Sequence, residues 1–508
     1  MKHLITLIIA ALLTLNAAAE PFAFSSFSIP PDGRLVIPVS ESEALTGLAA
    51  TLDEQLGGAL SIAAEEASFT AAEGQTLTLY GVGGYTRIDM IGVGRSPASR
   101  VAAENFGGTA AALLANTSGG SVQILWPDAI GTRDATGARV AFGYALRDYR
   151  FDRYMREKAQ PGPEVRVLSD DDSAEQFTGD LSYLAKSVHL ARDMNSEPGN
   201  IIYPQSFVDL YKAQFNGLDN VRVKVLDETD LLRLNMGAHY GVGKGSVRPP
   251  RLLIVEYLAG GDAPLIALAG KGVTFDTGGI SLKKNDKMWM MKGDLAGAGV
   301  VMGTVLAAAR RGEPVNVVAL AALAENMPSG VAIRPGDVLT SMSGLTIEIR
   351  STDAEGRLVL ADAVHYAQER YNPAVLINVA TLTGSVGRAL GDRYAGVFGR
   401  HDALIDELSQ AADTAGERVW RLPLDESHFE QIKSKYADVI NSGVGSPGAS
   451  VGAAFVGSFV DEDQVWAHFD IAGVDFYEKD RPTVPMGYSG WGVRTLDEYL
   501  RRQSRQTN

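Results

Sequence analysis

Seven residues in three short stretches have the types and spacing that could do chemistry. Residues 271–283 read KGVTFDTGGISLK and offer Lys271, Asp276 and Lys283. Asp294 stands directly before an Ala/Val/Met-rich run. Residues 351–357 read STDAEGR and offer Asp353, Glu355 and Arg357. Taken singly, each has a bland role. Asp276 can close a turn with Gly278. Asp294 can cap a helix. Lys283, beside Lys284, can be a solvated charge, and Lys271 can lay its stem over apolar surface. Asp353 and Glu355, two apart, point to different sides of a helix but can face one centre from an extended loop. Arg357 falls near the start of the next helix, where backbone N–H groups and the dipole favour an anion.

Together they suggest more. If Asp276, Asp294, Asp353 and Glu355 converge, four negative charges share a small volume and repel unless cations intervene. Two divalent ions would bring a matching +4. Such a pair, about 3.5–4 Å apart, is an established hydrolytic arrangement. Oxygen ligands favour Mg²⁺ or Mn²⁺, and Zn²⁺ also accepts carboxylates. The residue types lead to a two-metal site and leave the substrate open.

The elements that must position these groups alternate between strand and helix. Leu35–Val39, Leu77–Tyr80 and Val122–Trp126 read as strands, and Ala98–Ala115 as a helix, an α/β pattern without recognisable chemistry. Residues 158–180 change in character, with Pro161-Gly162-Pro163 and Asp170-Asp171-Asp172, and read as a solvated linker. The alternation then strengthens. Leu252–Tyr257, Leu265–Ala269, Val315–Leu323 and Val375–Leu382 read as strands. Asp294–Arg311 reads as a helix, and Leu360, Ala363, Val364, Ala367 and Tyr371 mark another helix face. Open α/β sheets hold their sites at the carboxyl ends of strands, so polar residues just after these strands are the first candidates.

Composition narrows the field. The chain has 508 residues, 45% hydrophobic and 21% charged, enough for more than one globular domain. The absence of cysteine excludes disulfides, thiolate nucleophiles and thiolate metal sites. A formal charge of −15 argues against nucleic acid as partner. Met1-Lys2-His3, an apolar run from Leu4 to Leu15 and Ala17-Ala18-Ala19 form a secretory leader pattern, too short to span a bilayer. Residues 1–19 are therefore expected to be a signal peptide. The remainder would be exported, periplasmic or secreted, without membrane attachment.

The three stretches resemble the leucyl aminopeptidase family, the M17 dizinc exopeptidases, whose signature reads NTDAEGR. Also similar are Met236-Gly237-Ala238 with Gly241-Val242-Gly243, Pro249–Leu252, Ala380–Gly384 and Trp466–Gly473. The resemblance covers about residues 180–500. It implies a smaller N-terminal α/β domain (20–175, with linker) and a larger mixed-sheet, zinc-exopeptidase-like catalytic domain (176–508). It implies an enzyme that releases N-terminal amino acids from peptides, of leucine type or other, by attack of a metal-bridging hydroxide. One metal site would use Asp276, Asp353 and Glu355. The other would use Lys271, Asp276, Asp294 and Glu355. Lys283 and Arg357 would be the catalytic pair, Lys283 at the oxyanion and Arg357 holding a bicarbonate as general base. Met291, Thr381, Gly384 and Ala472 would line the first side-chain pocket. Two ions per subunit, Zn²⁺ or Mn²⁺, and a homohexamer complete the expectation.

Ser351, Leu295 and Asn378 depart from the family's common Asn, Met and Asp. Changes in hydrogen bonding around the metals are expected, not their loss. Asp475 falls at a further pocket position that is apolar in some relatives, which would favour basic N-terminal residues. A serine hydrolase is the rival reading, through Gly448-Ala449-Ser450-Val451-Gly452. No strand leads into that motif, so it reads as a glycine-rich loop before a helix at Ala453. DNA binding, known for some members, does not suit an exported acidic chain. His468, Trp420 and Trp466 read as core, and His189, His239, His365, His401 and His428 show no ligand spacing.

Overall fold

A computed structural model describes residues 22–117, 119–170, 172–443 and 448–507. The expected signal peptide, residues 1–19, lies outside them. The described chain forms two compact units, one of residues up to Ala185 together with Glu478–Met486, the other of Lys186–Tyr477 and Gly487 onward.

The first unit holds six strands: β1 (Phe22–Ser26), β2 (Gly33–Val39), β3 (Thr76–Val82), β4 (Tyr85–Gly92), β5 (Ser121–Trp126) and β6 (Glu164–Ser169). Their order is β1-β6-β5-β2-β4-β3, parallel except for β3. The three expected strands and the helix, here Arg100–Leu114, are present. The linker reading of residues 158–180 is corrected, because β6 lies inside it and pairs with both β1 and β5. Val165, Val167 and Leu168 are buried in that sheet. Six residues of strand between a Pro-Gly-Pro turn and an acidic run are averaged away when composition is read over the whole segment.

The second unit is built on eight of its strands. In chain order these are β7 (Val221–Leu226), β8 (Arg251–Leu258), β9 (Leu265–Asp276), β10 (Asn316–Asn326), then, past the short pair β11 (Val338–Thr340) and β12 (Thr346–Glu348), β13 (Val375–Ala380), β14 (Ala395–Gly399) and β15 (Val419–Arg421). After β16 (Val439–Ile440), which joins β11 and β12 in a small sheet, comes β17 (Trp466–Asp470). The large sheet runs β15-β14-β17-β13-β9-β10-β8-β7. Its centre, β17-β13-β9-β10, is parallel. All eleven residues of β10 are buried, as a central strand covered on both faces requires. Ala267, Ala269, Leu320 and Ala322 share a core with Leu360, Val364 and Ala367 of the Gly356–Tyr371 helix. The Ala296–Arg311 helix approaches so closely that a Cβ on Gly297 would lie 2.1 Å from the Val379 carbonyl.

From β9 the chain crosses to β10 on one side, and the next crossover returns to β13 on the other. The switch point therefore lies between β9 and β13, and ligand sites of open α/β sheets are expected there, at the carboxyl ends of the strands.

Candidate active site

Each candidate side chain sits at that carboxyl end. Lys271 lies within β9 and Asp276 ends it. Asp294 joins the 3₁₀ turn Met288–Gly293 to the helix that starts at Ala296. The helix cap itself is Leu295, so capping is not the role of Asp294. Glu355 precedes the Gly356–Tyr371 helix, and Asp353 lies in the loop before it.

These residues converge. Oxygens of Asp276, Asp353 and Glu355 all lie within 4.8 Å of one another. Lys271 Nζ is 2.7 Å from Asp294 Oδ1 and 3.0 Å from Glu355 Oε1, and donates to the Thr381 carbonyl at 2.8 Å. Lys283 Nζ is 2.7 Å from Asp276 Oδ2 and 2.6 Å from Asp353 Oδ1. A Cβ on Gly356 would lie 2.5 Å from Lys271 Cε, so only glycine lets Glu355 and the lysine meet.

Four carboxylates, of which Asp276, Asp294 and Glu355 are buried and Asp353 is exposed, thus face two ammonium groups. Burial and the Glu355 charge push Asp276 up to about 6, against the pull of Lys283 and Lys271. Burial raises Asp294 well above the usual carboxylate range, and burial also raises Asp353. Glu355 goes the other way, down to about 2, because Lys271 and Lys283 outweigh its burial. Burial would lower Lys271, but Asp294, Glu355 and Asp276 hold it charged. Two oxygens, Asp294 Oδ2 and Glu355 Oε2, are buried and accept no hydrogen bond from the described residues. A buried anionic oxygen without a donor is costly unless a cation meets it. The donor set and these two orphaned atoms fit divalent ions.

Four residues that support the site were not among the candidates. Asn326, the last residue of β10, donates from Nδ2 to Asp276 Oδ1 at 2.7 Å and to the Thr352 carbonyl at 2.9 Å. Thr352 Oγ1 donates to the Gly278 carbonyl and accepts from Ser281 N. Asn441 accepts from Arg350 N and donates to the Ser351 carbonyl. Asp470, ending β17, accepts from Leu382 N, Thr383 N, Thr383 Oγ1 and Ala472 N. Asn326 and Asp470 each close a buried parallel strand, which is the signal that could have found them.

Arg357 is buried and donates from Nη1 to the Asn441 carbonyl at 2.8 Å, while its Nε has no partner among the described residues. The expected pocket residues come from neighbouring loops. Thr381 Oγ1 donates to Asp294 Oδ1, Met291 accepts from Asp294 N, and the Asp470 carboxylate ties the loop containing Thr381 and Gly384 to Ala472.

Residues 189–497 match the catalytic domain of the cytosol aminopeptidase family, and residues 36–158 match its N-terminal domain. The chain belongs to that family. Among its relatives, a probable cytosol aminopeptidase of Caulobacter vibrioides is 42% identical over 92% of this chain and 95% of its own. Probable cytosol aminopeptidase 1 of Shewanella oneidensis is 39% identical over 98% of this chain and 99% of its own. Among solved structures, a mutant of tomato leucine aminopeptidase superposes with a TM-score of 0.84 at 30% identity, covering 96% of this chain and 98% of that one. The bottromycin maturation enzyme BotP in complex with Mn gives 0.82 at 28%, covering 94% of this chain and 100% of that one. This chain is thus an aminopeptidase of a divalent-metal-dependent family, with the mixed α/β fold and two-domain build of its relatives.

The rival serine motif is a different object in this aminopeptidase. Gly448–Gly457 is one helix, so the loop reading of residues 448–452 is corrected, and Ser450 is buried within it. His468 and Trp466 are core, but Trp420 is 59% exposed, its ring edge-on to Tyr394 at the sheet margin. Among the described residues that margin strand, β15, has a neighbour on one side only, which a single sequence does not reveal.

Proposed function

We propose that Lys271, Asp276, Asp294, Asp353 and Glu355 would hold two divalent ions, Zn²⁺ or Mn²⁺. The observation that carries this reading is the pair of buried, unpartnered oxygens Asp294 Oδ2 and Glu355 Oε2 beside the Asp276–Asp353–Glu355 cluster. When bound, the ions supply Lewis-acid activation of water and of the peptide carbonyl, and an anchor for the substrate's free α-amine.

The chain's own groups do the rest. Lys283 is a charged donor at the mouth of the cluster, 23% exposed where Lys271 is buried. It donates to the carbonyl oxygen as negative charge develops there. Arg357 holds bicarbonate as an auxiliary base, and its buried, unpartnered Nε fits an anion. Lys271 is released as a neutral ligand only when metal charge replaces the carboxylate field that keeps it protonated. Met291, Thr381, Gly384 and Ala472 receive the N-terminal side chain.

Hydrolysis of Leu-anilide, free and N-acetylated, tests the reading after Mn²⁺ or Zn²⁺ loading. Cleavage of the free substrate alone is expected. A chelator and Asp353→Ala abolish it, and a serine-directed phosphonate does not. Equal cleavage of both substrates would overturn it.

Assembly as a homohexamer and export after cleavage at Ala19 belong to the same proposal. The leader pattern supports export, and the relatives' name, cytosol aminopeptidase, points the other way. An N-terminus at Glu20 in an exported fraction is expected. An intact Met1 in the cytoplasm refutes it. Light scattering reads the subunit number.

A further inference from the structure

We infer that Asp475, next to the aromatic row of Phe476, Tyr488 and Trp289, selects peptides whose N-terminal residue is basic, a substrate class for the site proposed above and resting on that reading. Residues 471–475 form one helical turn, in which Val474 N and Asp475 N both donate to the Ile471 carbonyl, at 2.9 and 3.0 Å. Residues three apart on such a turn share a side, so Asp475 lies on the side of Ala472, the expected pocket residue. The backbone of Asp475 is pinned from beyond the turn as well, since its carbonyl accepts from Ser489 N at 2.8 Å.

Among the described residues, the Asp475 carboxylate has no lysine, arginine or histidine partner. The backbone N–H groups of residues 475 and 476 lie near it and favour its charged form. The cation whose charge reaches it is Lys271, already held by Asp294 and Glu355. The nearby negative charge of Asp470 is taken up by four donors of its own. Burial, with Asp470 adding to it, pushes the Asp475 carboxyl up to about 7. Such a group lacks a countercharge that a substrate can bring.

An aromatic row runs alongside. Phe476 meets Tyr488 edge-on with ring centroids 5.1 Å apart, and Trp289 meets Phe476 edge-on at 6.2 Å. The buried end, Tyr488, feels the charges of both Asp475 and Asp294. The outer end, Trp289, is 60% exposed and sits two residues from Met291 on the same 3₁₀ turn. A carboxylate beside an aromatic row suits the aliphatic stem and cationic head of arginine or lysine. A leucine side chain would bury that carboxylate against methyl groups.

The test compares Arg-, Lys-, Leu- and citrulline-anilides on the metal-loaded enzyme. Citrulline keeps the length of arginine without its charge. The wild type is expected to favour Arg over citrulline in kcat/KM by about tenfold or more. Asp475→Asn brings that ratio close to one, and Trp289→Ala lowers it by about threefold. The ratio is independent of how much variant folds, and the citrulline arm needs no variant. An Arg/citrulline ratio within twofold in the wild type, with Leu-anilide cleaved, overturns the basic-residue inference and leaves the aminopeptidase reading standing. Equal cleavage of free and N-acetylated Leu-anilide overturns that reading and the inference with it.

Discussion

Replacing Asn326 by alanine tests whether the metal cluster is held by the end of β10. The side chain is 2% exposed and donates twice from Nδ2, to Asp276 Oδ1 at 2.7 Å and to the Thr352 carbonyl at 2.9 Å. The first bond fixes a carboxylate that contacts Lys283 and lies within reach of Asp353 and Glu355. The second fixes the loop that carries Asp353. A hydrogen bond to a charged group contributes about 1.5–3 kcal/mol, and a buried carbonyl left without a donor costs about 1–3 kcal/mol. If the first term appears in ligand positioning, it corresponds to about 10–100-fold in metal affinity, the usual range for partners of metal ligands. Asn326→Asp is expected to be worse than alanine, because it sets a carboxylate oxygen against Asp276 Oδ1 at contact distance. The assay is calorimetric titration of the metal-free enzyme with Mn²⁺, beside activity recovery in the same titration and the melting temperature. Metal affinity within twofold of wild type in Asn326→Ala, with the fold intact, would refute the argument that this amide orients Asp276.

Other perturbations follow from the same geometry. Gly356→Ala places a methyl 2.5–2.7 Å from Lys271 Cε, Cδ and Nζ. It should cut metal affinity by about 10–100-fold while leaving the melting temperature nearly unchanged, since alanine suits a helix start. Asp470→Ala strands three backbone N–H groups and should raise KM sharply, whereas Asp470→Asn keeps an acceptor for them and should retain most activity. Burial lowers His239 to about 4, and burial with the Arg357 charge lowers His468 to about 3. Both are neutral when folded, so the stability they confer is present above the unfolded value near 6.5 and is lost as pH falls towards 4 and 3. Each should add a slope of about 1.4 kcal/mol per pH unit in that window, and melting curves of His239→Asn should be shallower there. A slope unchanged by the substitution would count against the assignment.

Sequence alone determined the parts of this protein that depend on local pattern or on rare residue combinations. Continuous apolar runs marked β9, β10 and β13, because a strand buried on both faces has no polar side to show. The STDAEGR stretch and its companions named the six residues that meet at the carboxyl ends of the sheet, Lys271, Asp276, Lys283, Asp294, Asp353 and Glu355, since that cluster of acids and cations is rare outside such a site. Tertiary structure decided the rest. Sheet order set which side of Asp294 faced Lys271 and excluded its reading as a cap. It put β6 between β1 and β5, and left Trp420 on a margin. It also recruited Asn326, Thr352, Asn441 and Asp470, whose long-range partners lie 26 to 91 residues away. Hydrogen bonds over such separations follow from which strand ends are brought together, and no periodicity along the chain encodes that.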